Sequence, residues 1–373
     1  MLPPMFAYVG CYTTPDRKGR GEGIAVYRID ADSGAWSRVQ LLADVPNPSF
    51  LTVDRDRRFL YCVHGGNTYR AVSAFAIDRQ TGQLTFLNTQ DCGGANPVHL
   101  DIDASGRFLV VASYTDSVVA ALPIDADGTL GPRSDLVAQT GEPGPHPTEQ
   151  ASPHPHHCPF DTAGRFVAVP DKGLDRTFIY RFDAERGRLL PGDPPFVAAR
   201  PGAGPRHAAF HPHLPYAYVI NELDSTITTF GYDAERGVLD PRQTIATLPP
   251  DFTGASTTAE IAIAPSGRFL YGSNRGHDSI AIFAIDQSTG ALTSVGWEPC
   301  GGKMPRFVAL DPSGRYLYAA NQESDTIVAF RVDQTTGALA PTGQVIETGC
   351  PVCIIFAGDT DGLPLPTGEG AGG

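Results

Sequence analysis

The 373-residue chain has little lysine and no long apolar run. Only Lys18, Lys172 and Lys303 occur, and 28 basic against 41 acidic residues leave a net charge of −13 with histidine neutral. Nucleic-acid binding draws most of its affinity from Lys and Arg displacing counterions, so DNA and RNA are not expected as partners. Acidic membrane surfaces are disfavoured by the same charge. No segment approaches the roughly 18 consecutive apolar residues of a membrane span, and the start, Met1-Leu2-Pro3-Pro4-Met5-Phe6, lacks the basic and apolar regions of a signal peptide. A cytoplasmic protein without a membrane partner is expected. Helix-period segments are also missing. Seven cysteines, an odd and scattered set, make no disulfide framework. The pair Cys350-Pro351-Val352-Cys353 has no second CxxC and no βαβ context, and it reads as small buried residues.

What the chain has in abundance is turn formers, 41 Gly and 33 Pro, together with 41% hydrophobic residues. They fall into a repeat. A short apolar strand ending in Asp recurs seven times, at Asp30, Asp78, Asp125, Asp183, Asp233, Asp286 and Asp333. These spacings match the periods of propeller arrays. After each copy comes a Gly turn and an apolar residue (SGAW, TGQL, DGTL, RGRL, RGVL, TGAL, TGAL), the signature of a tight hairpin. Before most copies lies a turn and an aromatic strand, such as SGRFLYGS at 266–273, preceded by another apolar strand, such as EIAIA at 260–264.

Four strands per unit and seven units predict an all-β, seven-bladed β-propeller with four antiparallel strands per blade. The first unit begins at its second strand, Phe6, and the seventh innermost strand arrives only at Val352-Cys353-Ile354-Ile355-Phe356. The ring is therefore expected to close by the C-terminal inner strand joining the N-terminal outer strands. One domain over 1–357 and a flexible tail over 358–373 follow.

Antiparallel order brings the starts of the first strands and the ends of the second strands to one face. The former carry His99, the run His154-Pro155-His156-His157, Arg206-His207, Glu260 and Arg306; the latter carry His64, Tyr114, Asp171-Lys172, Asn221-Glu222, Asn274-Arg275 and Asn321-Gln322. A channel mouth rich in imidazole, guanidinium and carboxylate is where a ligand is expected. Arg206, Glu222 and Arg275, on adjacent blades, form its sharpest cluster. His154 and His156 share one side of an extended segment, but no HExxH or paired-Cys spacing supports zinc, and no metal or cofactor is expected. Walker, GxGxxG-before-helix and GxSxG patterns are absent.

Several stretches resemble the lactonase family of seven-bladed propellers: Gly202-Ala203-Gly204-Pro205-Arg206-His207 through Asn221-Glu222-Leu223, Pro153-His154-Pro155-His156, Pro170-Asp171-Lys172-Gly173, Ala259-Glu260-Ile261, Ser273-Asn274-Arg275-Gly276-His277-Asp278-Ser279 and Pro305-Arg306-Phe307. The resemblance covers residues 6–357. It implies hydrolysis of a sugar or sugar-acid lactone and places the family's site histidine, two arginines and glutamate on His156, Arg206, Glu222 and Arg275, with Glu222 or His156 as base. His99, Asp171, Lys172, His207, Asn221, Glu260 and Arg306 are then the expected substrate-binding residues, and a small-molecule lactone the partner. Two other readings are a muconate-type lactonizing cyclase and a non-catalytic binding platform, the latter requiring an exposed apolar patch.

Overall fold

A computed structural model of the chain describes residues 5–30 and 33–358. Seven antiparallel sheets follow one another around a ring. Blade one combines Pro351–Ala357, Met5–Cys11, Gly23–Ile29 and Trp36–Ala43. Blades two to seven run in chain order over 48–91, 97–138, 155–198, 205–246, 257–299 and 305–347. The expected closure is present: Phe6 pairs with Ala357, Tyr8 with Ile355 and Val9 with Ile354. Of the expected tail, only Gly358 lies within the described residues.

The repeat's sequence signals are contacts between blades. In TGAL-type turns the Asp ending the third strand accepts backbone N–H groups of the hairpin, as Asp286 Oδ1 does from Ser288 and Thr289. This Asx turn sets up a following glycine with positive φ, 73° at Gly290. A Cβ at Gly290 would lie 2.5 Å from the ring of Tyr216, which belongs to the preceding blade. The glycine is thus required by both conformation and space. Two residues after Tyr216, Tyr218 is fully buried and its hydroxyl donates to the Gly290 carbonyl at 2.9 Å. Tyr8, Tyr61 and Tyr271 repeat this bond to Gly82, Gly128 and Gly337. Between such stitches the blades bury apolar layers, for instance Tyr271, Ile280, Ile282, Val308, Leu317 and Phe330 between blades six and seven.

One blade departs from the four-strand expectation. Blade four has a three-stranded sheet, Phe166–Asp171, Arg176–Asp183 and Arg188–Ala198. Its inner segment makes only two isolated bridges, Pro155 with Asp171 and Phe160 with Val167. Pro153, Pro155 and Pro159 lack the N–H groups a ladder needs.

The inner strands share a second device. In blades two, three, five and seven a left-handed residue precedes a proline: Asn47-Pro48, Asn96-Pro97, Gly204-Pro205 and Met304-Pro305. The register then slips by one residue, leaving Ser49, Val98, Arg206 and Arg306 opposite no partner. Cys350-Pro351 does the same for Val352 in blade one, and blade six slips between Thr258 and Ile261. Bulges of this kind re-aim side chains.

Candidate active site

The bulges aim their extra side chains into the channel. A small cavity of about 10 Å³ lies there, lined by Tyr12, Ser49, Phe50, Val98, His156, Arg206, His207, Glu260, Arg306, Phe307 and Val352. All seven blades contribute. That volume holds about one water-sized molecule, and His156, Arg206, Glu260 and Arg306 bring ionisable groups to its wall.

Glu222, at the end of a blade-five strand, is the hub. Its Oε2 lies 2.9 Å from Arg206 Nε and 3.3 Å from Arg275 Nη2, and its Oε1 lies 3.3 Å from Lys172 Nζ. Arg206 also donates to the Ala259 carbonyl at 2.6 Å and Arg275 to the Thr258 carbonyl at 2.7 Å. Neither guanidinium is used up by these bonds: Arg275 Nε is buried without a partner, and the close approach of Arg206 Nε to Glu222 is not aligned as a hydrogen bond. Burial pushes the Glu222 carboxyl up, but Arg275, Lys172 and Arg206 outweigh it and hold it well below the usual carboxylate range. Burial and the charge of Arg275 draw Arg206 down to about 9, still cationic at neutral pH. Lys172 is paired a second time, with Glu149 at 2.6 Å, and lies over the Tyr114 ring.

A second chain of contacts runs through imidazoles. His207 Nδ1 is 2.9 Å from Glu260 Oε1, and His207 Nε2 is 3.3 Å from His156 Nδ1. Glu260 Oε1 already accepts the Ile261 N–H. Burial raises the Glu260 carboxyl to about 8, and with Oε1 acting as an acceptor His207 donates to it through Nδ1. His207 Nε2 is then an acceptor, His156 donates to it through Nδ1, and the Nε2 lone pair of His156 is left available. Burial, reinforced by Arg206, depresses both imidazoles well below their ordinary value, which keeps them neutral.

The structure therefore brings together His156, Arg206, Glu222, Arg275, Lys172, His207, Glu260 and Arg306. Three other expected residues stand apart. Asp171 Oδ1 accepts the backbone N–H groups of His154, Gly173 and Leu174, organising a turn, and burial pushes its carboxyl to about 7. Asn221 donates to Thr226 and Thr228 within its own blade. His99 packs beneath the site, its Nδ1 accepting the Cys158 N–H, its ring 3.7 Å from that of His157. His157 stacks on His207 at 4.1 Å, and His154 stacks on Tyr114 at 4.1 Å. Among the described residues no three His, Cys, Asp or Glu side chains are grouped to hold a metal. Tyr12, Arg17 and Glu149 were missed by the sequence reading. Tyr12 immediately follows the second strand of its blade, the class of position that revealed Glu222 and Arg275.

Comparison with known proteins places this geometry. The family model "Lactonase, 7-bladed beta-propeller" matches residues 6–356. A 6-phosphogluconolactonase of Bacillus subtilis is 36% identical over 299 residues, covering 80% of this chain and 83% of its own. One from Formosa agariphila is 36% identical over 312 residues, covering 80% and 84%. The solved structure of a periplasmic gluconolactonase of Pseudomonas aeruginosa superposes with a TM-score of 0.87 at 32% identity, over 95% of this chain and 99% of that one. With the match spanning every blade, the chain belongs to the lactonase family of seven-bladed β-propellers.

Proposed function

We propose that this protein hydrolyses a sugar or sugar-acid lactone at the channel mouth. The observation that carries the reading is the pair of guanidiniums, Arg206 and Arg275, held on one carboxylate beside a neutral His156. His156 Nε2 takes a proton from water as the water oxygen attacks the lactone carbonyl. Negative charge develops on the carbonyl oxygen, where guanidinium donors stabilise it. Collapse breaks the ring C–O bond, and the leaving oxygen takes the proton back from His156, giving the open hydroxy acid. Glu222, held ionised by three cations, is a poor base, and its role is to position both arginines. His207 and Glu260 orient His156. Arg306 receives anionic groups of the substrate, while Lys172 pairs with Glu222 and Glu149.

The named relatives are two 6-phosphogluconolactonases and a gluconolactonase, which favours hydrolysis over muconate cyclisation. The binding-platform reading needs one apolar patch, whereas among the described residues the exposed large hydrophobics Phe86, Leu136, Val295 and Val345 are spread over the outer strands of four blades. We read the protein as cytoplasmic: its seven cysteines are all buried and unpaired, which suits a reducing compartment, and no helix among the described residues is long and apolar enough to cross a membrane. Recovery from a periplasmic fraction would overturn that location. The function is tested by acid release from phosphorylated and unphosphorylated gluconolactones, a uronate-derived lactone and a muconate, with and without chelator. Consumption of a lactone, unaffected by chelator, is expected. Turnover of the muconate alone overturns the reading.

A further inference from the structure

The cations at the mouth are not equally neutralised. Arg206, Arg275 and Lys172 share Glu222, and Lys172 has Glu149 as well. Arg17 and Arg306 make no direct ion pair among the described residues, although the charge of Arg306 is felt by Glu222 and Glu260, and both face the ring of Tyr12, with guanidinium carbons 4.8 and 5.4 Å from its centroid. Arg17 Nε is buried without a hydrogen-bond partner. Tyr12 and Arg306 line the same cavity as His156 and Arg206. In a chain of net charge −13, two unmatched guanidiniums on one phenol ring beside the reaction centre form a local excess of positive charge that the fold leaves open.

From this juxtaposition we infer that Tyr12, Arg17 and Arg306 form an oxyanion-binding subsite that takes a phosphate ester carried by the lactone, an inference that rests on the proposed hydrolase reading and deepens it. Arginine suits the task because its planar fork meets phosphate oxygens with parallel donors. The subsite is preorganised. Asn96 Oδ1 accepts from Arg17 Nη2 at 3.0 Å and from the Gly66 N–H at 2.9 Å, and Asn47 Oδ1 accepts the N–H groups of Thr13 and Thr14. Asp16, which precedes Arg17 in the chain, accepts from Thr14 at 2.5 Å. Arg17 Nη2 lies 3.4 Å from the Tyr12 hydroxyl, which keeps its own proton for a ligand oxygen. Burial raises the Tyr12 phenol, but Arg306, Arg17 and Arg206 outweigh it and bring it below its ordinary value, making it a stronger donor. Lys172 is less suited, because an incoming phosphate would meet Glu149 there.

The test compares wild type with Arg17→Ala, Arg17→Lys and Tyr12→Phe, each checked for an unchanged circular dichroism spectrum. The kcat/KM ratio of 6-phosphorylated over unphosphorylated gluconolactone is measured together with the Kd of inorganic phosphate by calorimetry. Arg17→Ala is expected to lower the ratio at least tenfold, mainly through KM, and to weaken phosphate binding by a similar factor, with partial recovery in Arg17→Lys. An unchanged ratio and Kd in folded variants overturns the subsite while leaving lactone hydrolysis intact. If wild type hydrolyses no lactone but binds phosphate in an Arg17-dependent way, the subsite stands and the hydrolase reading falls.

Discussion

Replacing Glu222 with Gln separates two roles a carboxylate can play in this site. Its contacts of 2.9, 3.3 and 3.3 Å to Arg206, Arg275 and Lys172 are each worth about 5 kcal/mol of Coulomb energy at an effective dielectric near 20. Desolvation offsets much of that, and breaking a buried pair on one side costs about 3–5 kcal/mol. Stability of a folded domain is of order 5–15 kcal/mol, so the variant should fold with a clearly lowered melting temperature. Its kcat/KM should fall by about 10²–10³, the size of effect seen when oxyanion donors are lost, because both guanidiniums lose their common anchor. The informative assay is the pH–rate profile against a lactone. On the proposed mechanism the acidic limb belongs to His156, whose imidazole burial depresses well below its ordinary value, so it should persist in Glu222→Gln and vanish in His156→Gln. Activity within threefold of wild type in Glu222→Gln, or an acidic limb that disappears with Glu222 and survives loss of His156, would refute the division of labour.

The fold makes further predictions. Gly290→Ala forces a side chain into a left-handed backbone and against Tyr216, and should cost about 2–4 kcal/mol in denaturant unfolding; Tyr218→Phe, which loses only the bond to Gly290, should cost about 1 kcal/mol. The Glu260 carboxyl has its pKa raised from 4.5 to about 8 in the fold, so its stabilisation is complete below pH 4.5 and is lost as pH rises toward 8. Urea unfolding of Glu260→Gln should show a shallower fall over that window, by up to about 1.4 kcal/mol per pH unit. The buried imidazoles His99, His156, His157 and His207 are depressed below 6.5 and act in the opposite sense: they favour the fold above pH 6.5 and stop doing so as pH falls and they charge. Acid unfolding should therefore be steep below pH 6, and His99→Phe should move its midpoint down. All seven thiols are buried, so native protein should react with an aromatic disulfide reagent far more slowly than protein in urea.

Much of this was legible in the sequence because the repeat encodes contacts rather than strands alone. The hairpin glycine and the aromatic of the preceding blade, visible as TGAL-type and SGRF-type stretches, turn out to touch, as Gly337 and Phe269 do. Antiparallel order sufficed to group Arg206, Glu222 and Arg275, since these positions depend on topology. Three things were hidden. The proline-rich run around His156 reads as a fourth strand in that blade, yet its missing N–H groups reduce it to two bridges. Asp171 and Asn221 sit in the right register, but backbone N–H groups and threonine hydroxyls claim their side chains, a choice of partner that position alone does not show. Arg17 and Glu149 come from a loop and a linker outside the repeat. One signal was available and unused: the residue after each Pro at the start of an inner strand is the one the bulge turns into the channel, as Arg206 and Arg306 show. The same motif accounts for the spacing in Cys350-Pro351-Val352-Cys353 without any redox role for the two thiols, because Val352 is the bulged residue.

The central claim is that the paired guanidiniums stabilise a lactone's developing oxyanion. Its most direct test is the rate of 6-phosphogluconolactone and gluconolactone hydrolysis, above the spontaneous rate, in wild type and in Arg206→Met and Arg275→Met. The account predicts turnover by wild type and a loss of at least a hundredfold in kcat in both folded variants. A wild-type rate equal to that of buffer, or variants as fast as wild type, would contradict it.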